Sequence, residues 1–212
     1  MATTDASEPT DVLIAALEAR GAAEPVIDGR RLRAERGRAA VVTATLELVD
    51  AGNPVPTFAD IAEASGVSER TIFRYFPDRD ALFGAVATEV FPRIAHCLVV
   101  TPPDTDLRNR AAALVTLRVE LTDRTAPLTR SVERLAPSSQ LGTALLALRI
   151  DRLQEQVRRW FEPELTAAGP AAAALVDVLL GTASITHLRE LLDDDQVGPQ
   201  LTDAVVRLLS AD

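Results

Sequence analysis

The 212-residue sequence is poor in the side chains from which most catalytic and metal sites are built. It contains one cysteine, Cys97, and two histidines, His96 and His187. A single thiol excludes an internal disulfide, and we expect no cysteine-based metal site. The histidines show no ligand spacing, and no nucleophile–base pair or glycine-rich phosphate loop is recognisable. We therefore predict no catalytic residue, no metal, no cofactor and no enzyme activity.

Lysine is also absent, and all 22 basic residues are arginine. An isolated arginine therefore carries little information about function. No apolar run approaches the roughly 18–20 residues that a membrane-spanning helix needs. The acidic, polar start, MATTDASEPTD, is unlike a signal peptide. We expect a cytoplasmic protein with no membrane partner.

The distribution of charge is more informative than its total. The formal net charge is −9, but residues 30–79 hold eight arginines and seven acidic residues, a balance of +1 that leaves −10 for the rest. This asymmetry indicates one segment that faces a polyanion while the remainder keeps the protein soluble. Five arginines near the start of this segment could contact phosphates or a minor groove: Arg30, Arg31, Arg33, Arg36 and Arg38.

Helical periodicity dominates the chain, and no useful length alternates with period two, so we predict an all-α fold. Thr57 with Asp60 is expected to cap one helix, and Gly66 to end it in a left-handed conformation. Ser68 is expected to cap the next, and the acidic run 193–195 to lie in a loop. The predicted helices are 11–20, 31–51, 58–65, 69–76, 78–98 with a kink or an early end at Pro92, 105–122, 127–135, 139–161, 170–192 and 200–210.

The short stretch SERTIFRYFPDRDAL, residues 68–82, combines cationic, hydroxyl and aromatic side chains. On a helical wheel Ile72 and Phe76 fall on one side, and Phe73 lies at the margin. The opposite arc carries Arg70, Thr71, Arg74 and Tyr75. Two short helices joined through a glycine turn, the second displaying polar groups outwards, predict a helix-turn-helix.

These side chains suit DNA recognition. Arginine can donate twice to a guanine edge, threonine can contact a base edge, and tyrosine can bond a phosphate. Arg79 could bind the backbone beyond the helix, and the N-terminus capped at Thr57 offers a second phosphate site. Spacing alone leaves an alternative open, because an arginine-bearing helix face is often only a solvated surface.

The run TFADIAEASGVSERTIFRYFPDRDALF, residues 57–83, resembles the DNA-binding signature of TetR-type transcriptional regulators. The resemblance covers about residues 33–85. It implies a homodimeric regulator, most often a repressor, that binds a pseudo-palindromic operator and is released by a small molecule. It also implies base contacts from Arg70, Thr71 and Arg74 and backbone contacts from Thr57, Tyr75 and Arg79. Ser68 is a further candidate DNA-binding residue.

Two departures accompany this resemblance. The family commonly has a phosphate-contacting tyrosine where this chain has Phe73, and a lysine where it has Arg79. The implied organisation is an N-terminal extension (1–29), a helix-turn-helix DNA-binding domain (30–77) and a larger helical domain for effector binding and dimerisation (78–212).

Residues 105–212 carry no motif that we can match. Several helices there are apolar on more than one face and must be buried in a core or an interface. By analogy with the family, about 171–192 and 200–210 are the expected dimer interface, with packing inside the subunit as the alternative. The candidate pocket residues for a largely apolar effector are Phe91, Arg118, Trp160, Phe161 and His187, with Glu120 as a further conceivable lining residue.

Two other functions stay open from the sequence. The chain could be a DNA-binding regulator without a small-molecule effector, controlled by a protein partner, or, with less support, an all-helical enzyme. Detectable turnover that is insensitive to Arg74→Ala would favour the enzyme.

Overall fold

In the computed structural model, residues 29–103 and 105–210 are described, and this part of the chain is helical without β-strands. The predicted helix 11–20 lies outside the described residues. The helices are α1 (Gly29–Asp50), α2 (Phe58–Ser65), α3 (Glu69–Tyr75), α4 (Arg79–Ile94), α5 (Leu107–Leu135), α6 (Gln140–Trp160), α7 (Glu162–Ala168), α8 (Pro170–Leu179), α9 (Thr182–Leu191) and α10 (Asp194–Leu209), with 3₁₀ turns at Ala95–Leu98 and Ala136–Ser138.

The chain divides into two compact units. Unit 1 comprises the described residues up to Arg93 together with Pro127–Leu148, and unit 2 comprises Ile94–Ala126 and the described residues from Arg149 onward. Helices α5 and α6 therefore contribute residues to both units. The predicted all-α architecture, with a helix-turn-helix followed by a larger helical region, is confirmed.

Unit 1 begins with three helices that pack on one another. Val41, Val42 and Val49 bury one side of α1. Ile61 is the buried residue of α2, and Ile72 that of α3. The 3/4 spacing of Ala39, Val42, Leu46 and Val49 predicts one apolar stripe along this helix, but Ala39 is exposed.

Helix α4 is apolar because its inner face belongs to the core of unit 1. Leu82, Phe83, Val86 and Val90 are buried. Among the described residues, the stretch Arg79–Leu98 is long and apolar enough to cross a membrane, and the bent pair α8 and α9 would add a second span if counted as one. The chain therefore has a longer apolar helical stretch than its sequence predicts, and 22% of the apolar window in Arg79–Leu98 is buried.

Helix α5, which contributes residues to both units, is longer than predicted. We expected a break between residues 122 and 127, with Pro127 starting a new helix, but α5 runs unbroken through Pro127. Proline inside a helix removes one hydrogen bond and typically costs about 3 kcal/mol. Leu121 and Thr125 before it, and Ser131 and Leu135 after it, are all buried. Packing on both sides of the proline thus outweighs its local preference.

Near the C-terminus, by contrast, the chain is divided into more and shorter helices than predicted. The single helix expected over 170–192 is two helices, α8 and α9, bent by 55° at Leu180–Gly181. Gly181 is the N-cap of α9, and its extended backbone ends the run. Helix α7 was not predicted at all.

Helix α10 begins at Asp194, six residues before its predicted start at 200. Asp193 holds the N-cap position, and Asp194 and Asp195 lie in the first turn, where negative charge stabilises the positive end of a helix. The acidic run is therefore a helix start, and the prediction of a loop was wrong. The core of unit 2 joins α5, α6 and α8–α10 around Leu114, Trp160, Val176, Ile185 and Leu201.

Candidate nucleic-acid interface

The turn between α2 and α3 is built from local hydrogen bonds that the sequence predicts. The Thr57 hydroxyl accepts from the Asp60 N–H at 3.1 Å, and the Thr57 N–H donates to Asp60 Oδ2 at 2.8 Å, which completes a capping box. Hydrogen bonds to its carboxylate lower the pKa of Asp60, the one from the backbone N–H of Thr57 having the largest effect. Gly66 ends α2 at φ 67° and ψ 12°, in the left-handed region, as predicted.

The orientation of α3 agrees with the helical-wheel prediction. Ile72 and Phe76 have 0% of their surface exposed. Arg70 and Arg74 are exposed and Thr71 is half-buried. The guanidinium of Arg74 lies 5.4 Å from the centre of the Tyr75 ring, which limits the directions it samples. Helix α3 therefore presents two guanidinium groups and a hydroxyl on its outer face.

Ser68 holds the N-cap position of α3, as expected, but its side chain does not cap the backbone. Its hydroxyl donates to Thr71 Oγ1 at 3.0 Å. The backbone carbonyl of Ser68 accepts the N–H groups of Thr71 and Ile72 at 2.8 and 3.0 Å. Ser68 thus orients the hydroxyl of Thr71, a role that helical periodicity does not show.

Tyr75 is held from two sides by α1. Its carbonyl accepts from Arg38 Nη1 at 2.6 Å, and the Arg38 guanidinium lies 4.5 Å from the centre of the Phe76 ring. The Tyr75 side chain is half-buried beside Gly37. The sequence predicts a possible phosphate contact for Arg38, as for four other arginines, whereas in the structure Arg38 holds the end of α3 in place.

The other described arginines of α1 lie on its exposed surface. Arg31 pairs with Glu35, and Arg33 donates to the Gly29 carbonyl. Arg36 donates to the Leu32 carbonyl at 3.3 Å. These are local contacts of exposed side chains, and such contacts are exchanged at little cost for contacts to another anion.

Arg79, at the start of α4, also makes an internal contact. It is half-buried, and its Nη1 donates to the Pro56 carbonyl at 3.4 Å. This bond ties the first residue of α4 to the residue before the cap of α2. Arg79 therefore braces the loop that positions Thr57.

Phe73 is the unusual residue of α3. It is 48% exposed, and its ring packs at 4.5 Å, centre to centre, on that of Phe58 at the start of α2. Phe58 is half-buried and was missed in the sequence analysis. The pair places apolar surface beside Arg70, one helical turn earlier, and offers no hydroxyl for a phosphate.

The five pocket candidates lie in different surroundings. Phe91 is half-buried on α4 in unit 1. In unit 2, Trp160 and Phe161 are part of the buried core, and exposed His187 lies 3.3 Å from Glu190. Arg118 is buried, donating to Gln156 Oε1 and the Leu153 carbonyl, with Asp177 at 3.7 Å. Burial lowers the pKa of Arg118 to about 10, so it stays charged at neutral pH.

Comparisons with known proteins agree with this geometry. Residues 41–86, which include α2, α3 and the turn between them, match the family described as bacterial regulatory proteins, tetR family. The chain is also similar to the HTH-type transcriptional repressor LfrR of Mycolicibacterium smegmatis, with 30% identity over 144 residues. That alignment covers 68% of this chain and 59% of the relative, so the chain spans about three fifths of the length of that repressor.

Proposed function

Because the chain belongs to the tetR family of bacterial regulatory proteins, we propose that it is a cytoplasmic transcriptional repressor that binds a pseudo-palindromic operator as a homodimer. The observation that carries this proposal is the orientation of α3. Arg70 and Arg74 are exposed on the side opposite the fully buried Ile72 and Phe76. A helix with this orientation can enter a major groove without loss of its packing.

In the proposed complex, Arg70 and Arg74 read base edges. A guanidinium donates two parallel hydrogen bonds to O6 and N7 of guanine, a contact worth about 1–3 kcal/mol of discrimination. Thr71 approaches a neighbouring base through its hydroxyl or its methyl group. The Ser68–Thr71 hydrogen bond favours one rotamer of Thr71, which supports a specific contact.

The backbone contacts are assigned to groups around the base readers. The Thr57 hydroxyl accepts from the Asp60 N–H, so its own proton can go to a phosphate oxygen. The Tyr75 hydroxyl would donate to a second phosphate. Arg79 would reach a phosphate only with a change in its bond to Pro56, so we assign it mainly to positioning the cap of α2.

For the dimer we propose a face formed by α8 and α9. Leu175 and Val178 on α8 and Leu191 on α9 are 51%, 68% and 65% exposed. In contrast, the apolar residues of α10, such as Leu201 and Val205, are buried inside unit 2. The proposed interface therefore concentrates on 175–191, and α10 supports it from within the subunit.

We further propose that an effector binding unit 2 weakens operator binding because it has a higher affinity for another conformation of the dimer. Trp160 and Phe161 fill the core, and Arg118 is held by Gln156. An effector that reaches these residues must therefore displace packed side chains, and the apolar surroundings favour an apolar compound. Control by a protein partner is the alternative, and a compound screen that yields no releasing molecule would favour it.

The DNA-binding proposal is tested by fluorescence anisotropy with the DNA upstream of this protein's own gene. Arg74→Ala should weaken specific binding by about 1–3 kcal/mol, while the far-UV circular dichroism spectrum, which reports helix content, stays unchanged. Arg207→Ala, which removes an exposed arginine from α10, is the matched control and should bind like the wild type. Equal affinity of the Arg74 variant and the wild type would remove Arg74 from the readers.

Two further measurements separate parts of the proposal. The affinity for DNA should fall steeply as the salt concentration rises, because phosphate contacts release counterions, and a flat response would contradict the backbone contacts.

The proposed dimer interface is tested by Val178→Glu, which should shift the dimer towards monomer in sedimentation equilibrium. Leu32→Glu, which also places a glutamate at an exposed apolar position but on α1, should leave the dimer intact.

A further inference from the structure

Three side chains with metal-binding atoms lie together in unit 2. The ligand atoms of His96, Cys97 and Glu120 all lie within 4.8 Å of one another. His96 Nε2 is 3.0 Å from Glu120 Oε1 and 3.3 Å from Cys97 Sγ. Spacing along the chain indicates no such site, because Glu120 comes from α5 and the other two residues from the 3₁₀ turn after α4. We propose that these three residues, the metal cluster, bind one Zn²⁺ ion per chain.

The separations of the ligand atoms suit a small cation. Zinc bonds to sulfur at about 2.3 Å and to imidazole nitrogen or carboxylate oxygen at about 2.0–2.2 Å. A tetrahedral ion bonded to all three atoms therefore holds them about 3–4 Å apart. The observed separations of 3.0 and 3.3 Å are at the lower edge of that range. The third separation, between Cys97 Sγ and Glu120, is within 4.8 Å, so binding would require side-chain rotation to bring all three atoms onto the ion.

The turn that carries His96 and Cys97 is fixed from behind by buried polar groups. Gln156 Nε2 donates to the carbonyls of Cys97 and Val99 at 2.9 and 2.8 Å. The indole of Trp160 also donates to the Val99 carbonyl, at 3.1 Å. Three hydrogen bonds thus hold the backbone of this turn, and such support keeps metal ligands in position before the metal arrives.

Arg118 completes this support. Its Nε donates to Gln156 Oε1 at 3.1 Å, which leaves the amide nitrogen of Gln156 pointing at the turn. Keeping a cation 1% exposed is unfavourable without a compensating contact. Arg118 therefore has a structural role. It orients the amide of Gln156, which in turn holds the backbone of the turn.

The cluster is open to solvent on one side. Cys97 is buried against Leu121 and Leu153. The side chains of His96 and Glu120 are 51% and 33% exposed. A cation arriving from solvent would meet these two first, bind the thiolate as the thiol proton leaves to water, and keep a water molecule as its fourth ligand.

The mixture of sulfur, nitrogen and oxygen favours zinc over hard cations such as Mg²⁺, which prefer oxygen ligands. Arg124 competes for the cluster, since its Nη2 lies 2.8 Å from Glu120 Oε1. A plain ion-pair network of His96, Glu120 and Arg124 is therefore the alternative. That network involves no thiol, so the two differ in the role of Cys97.

The test uses the full chain without an affinity tag and needs no DNA, so it is independent of the proposed function. Co²⁺ is titrated in place of Zn²⁺ and followed by its visible and near-ultraviolet absorption. We expect one equivalent to bind per chain, with the absorption of tetrahedral cobalt and a thiolate-to-cobalt charge-transfer band. Added Zn²⁺ should abolish these bands, and excess Mg²⁺ should not.

Variants assign the ligands. Cys97 is the sole cysteine, so Cys97→Ser must abolish the charge-transfer band. His96→Ala and Glu120→Gln, at less buried positions, should each weaken Zn²⁺ binding at least about tenfold, and they keep the test valid if Cys97→Ser does not fold. His187→Ala, which removes the other histidine, should bind like the wild type. Absence of a charge-transfer band, or Zn²⁺ affinity unchanged in His96→Ala and Glu120→Gln, would overturn the proposal.

Discussion

The hydroxyl oxygen of Tyr75 lies 2.7 Å from the position that a Cβ atom of residue 37 would occupy, and ring atom Cε2 lies 3.0 Å from it. Glycine at position 37 is therefore what allows Tyr75 to rest against α1. Glycine in the interior of a helix is less stable than alanine by about 0.5–1 kcal/mol. This unfavourable glycine lies where it lets Tyr75, a proposed phosphate contact, pack against α1.

We predict that Gly37→Ala weakens operator binding without unfolding the protein. The added methyl group pushes away the far end of a half-buried side chain and leaves the backbone in place. Loss of the hydrogen bond from Tyr75 to a phosphate should reduce affinity by about 1.5–3 kcal/mol. Anisotropy titrations give the affinity, and urea denaturation gives the free energy of unfolding.

The same change in a Tyr75→Phe background is the control. Phenylalanine at position 75 has no hydroxyl to bond a phosphate, so Gly37→Ala should have no further effect on affinity, although ring atom Cε2 would still lie 3.0 Å from the new methyl group. If alanine weakens binding equally in both backgrounds, Gly37 acts on DNA by some route other than Tyr75.

Phe73 leads to a prediction of increased affinity. The resemblance to TetR-type regulators implies a tyrosine with a phosphate contact at this position, and Phe73 is exposed enough to approach DNA. Phe73→Tyr should strengthen binding by about 1.5–3 kcal/mol, equally for operator and unrelated duplexes, because a phosphate contact carries no sequence information. Phe58→Tyr, the same change on the partner ring, should leave affinity unaltered. A gain restricted to the operator would mean that Phe73 faces a base.

How far the sequence predicts this molecule depends on the range of the interactions involved. Local periodicity and capping predicted the box at Thr57, the left-handed Gly66 and the burial of Ile72 and Phe76. Arg38 differs, because its role comes from a contact with a carbonyl 37 residues away. In a chain whose basic residues are all arginine, no local signal separates such a brace from a DNA contact.

The chain after α4 was harder to predict for the same reason. Gln156 and Cys97 are 59 residues apart, and only the fold brings them together. Proline and glycine both commonly interrupt helices, yet Pro127 and Gly181 behave differently. Helix α5 continues through Pro127 because residues on both sides of it are buried, whereas the helical run ends at Gly181.

The Arg118 network should contribute measurably to stability. Arg118→Met keeps much of the side-chain volume but leaves Gln156 Oε1 and the Leu153 carbonyl without their donor. Buried acceptors left without a donor cost about 1–3 kcal/mol each, so the free energy of unfolding should fall by about 2–6 kcal/mol. Urea denaturation measures it, and Arg152→Met, an exposed change on α6, the helix that carries Gln156 and Leu153, should be nearly neutral. A loss no larger than that of the control would mean that water replaces the arginine.

Asp60 predicts a dependence of stability on pH. Its pKa is lowered from the ordinary value of 3.8 by hydrogen bonds from Thr57 and Asn53. A carboxyl with a depressed pKa in the folded state stabilises the protein above its unfolded pKa and loses that contribution as pH falls through the folded pKa. The stability difference between wild type and Asp60→Asn should therefore be largest near pH 7 and shrink below about pH 4. Urea denaturation at several pH values measures it, and a constant difference would show that the charge of Asp60 is not involved.

The hydrogen bond from Trp160 to the Val99 carbonyl gives the protein a built-in optical probe. Trp160 is the chain's sole tryptophan, so all of its indole fluorescence comes from one environment beside the turn that carries His96 and Cys97. Any event that loosens this turn admits water to the indole and shifts its emission to longer wavelength. Changes in that turn can therefore be followed in unlabelled protein, in real time and in the presence of DNA.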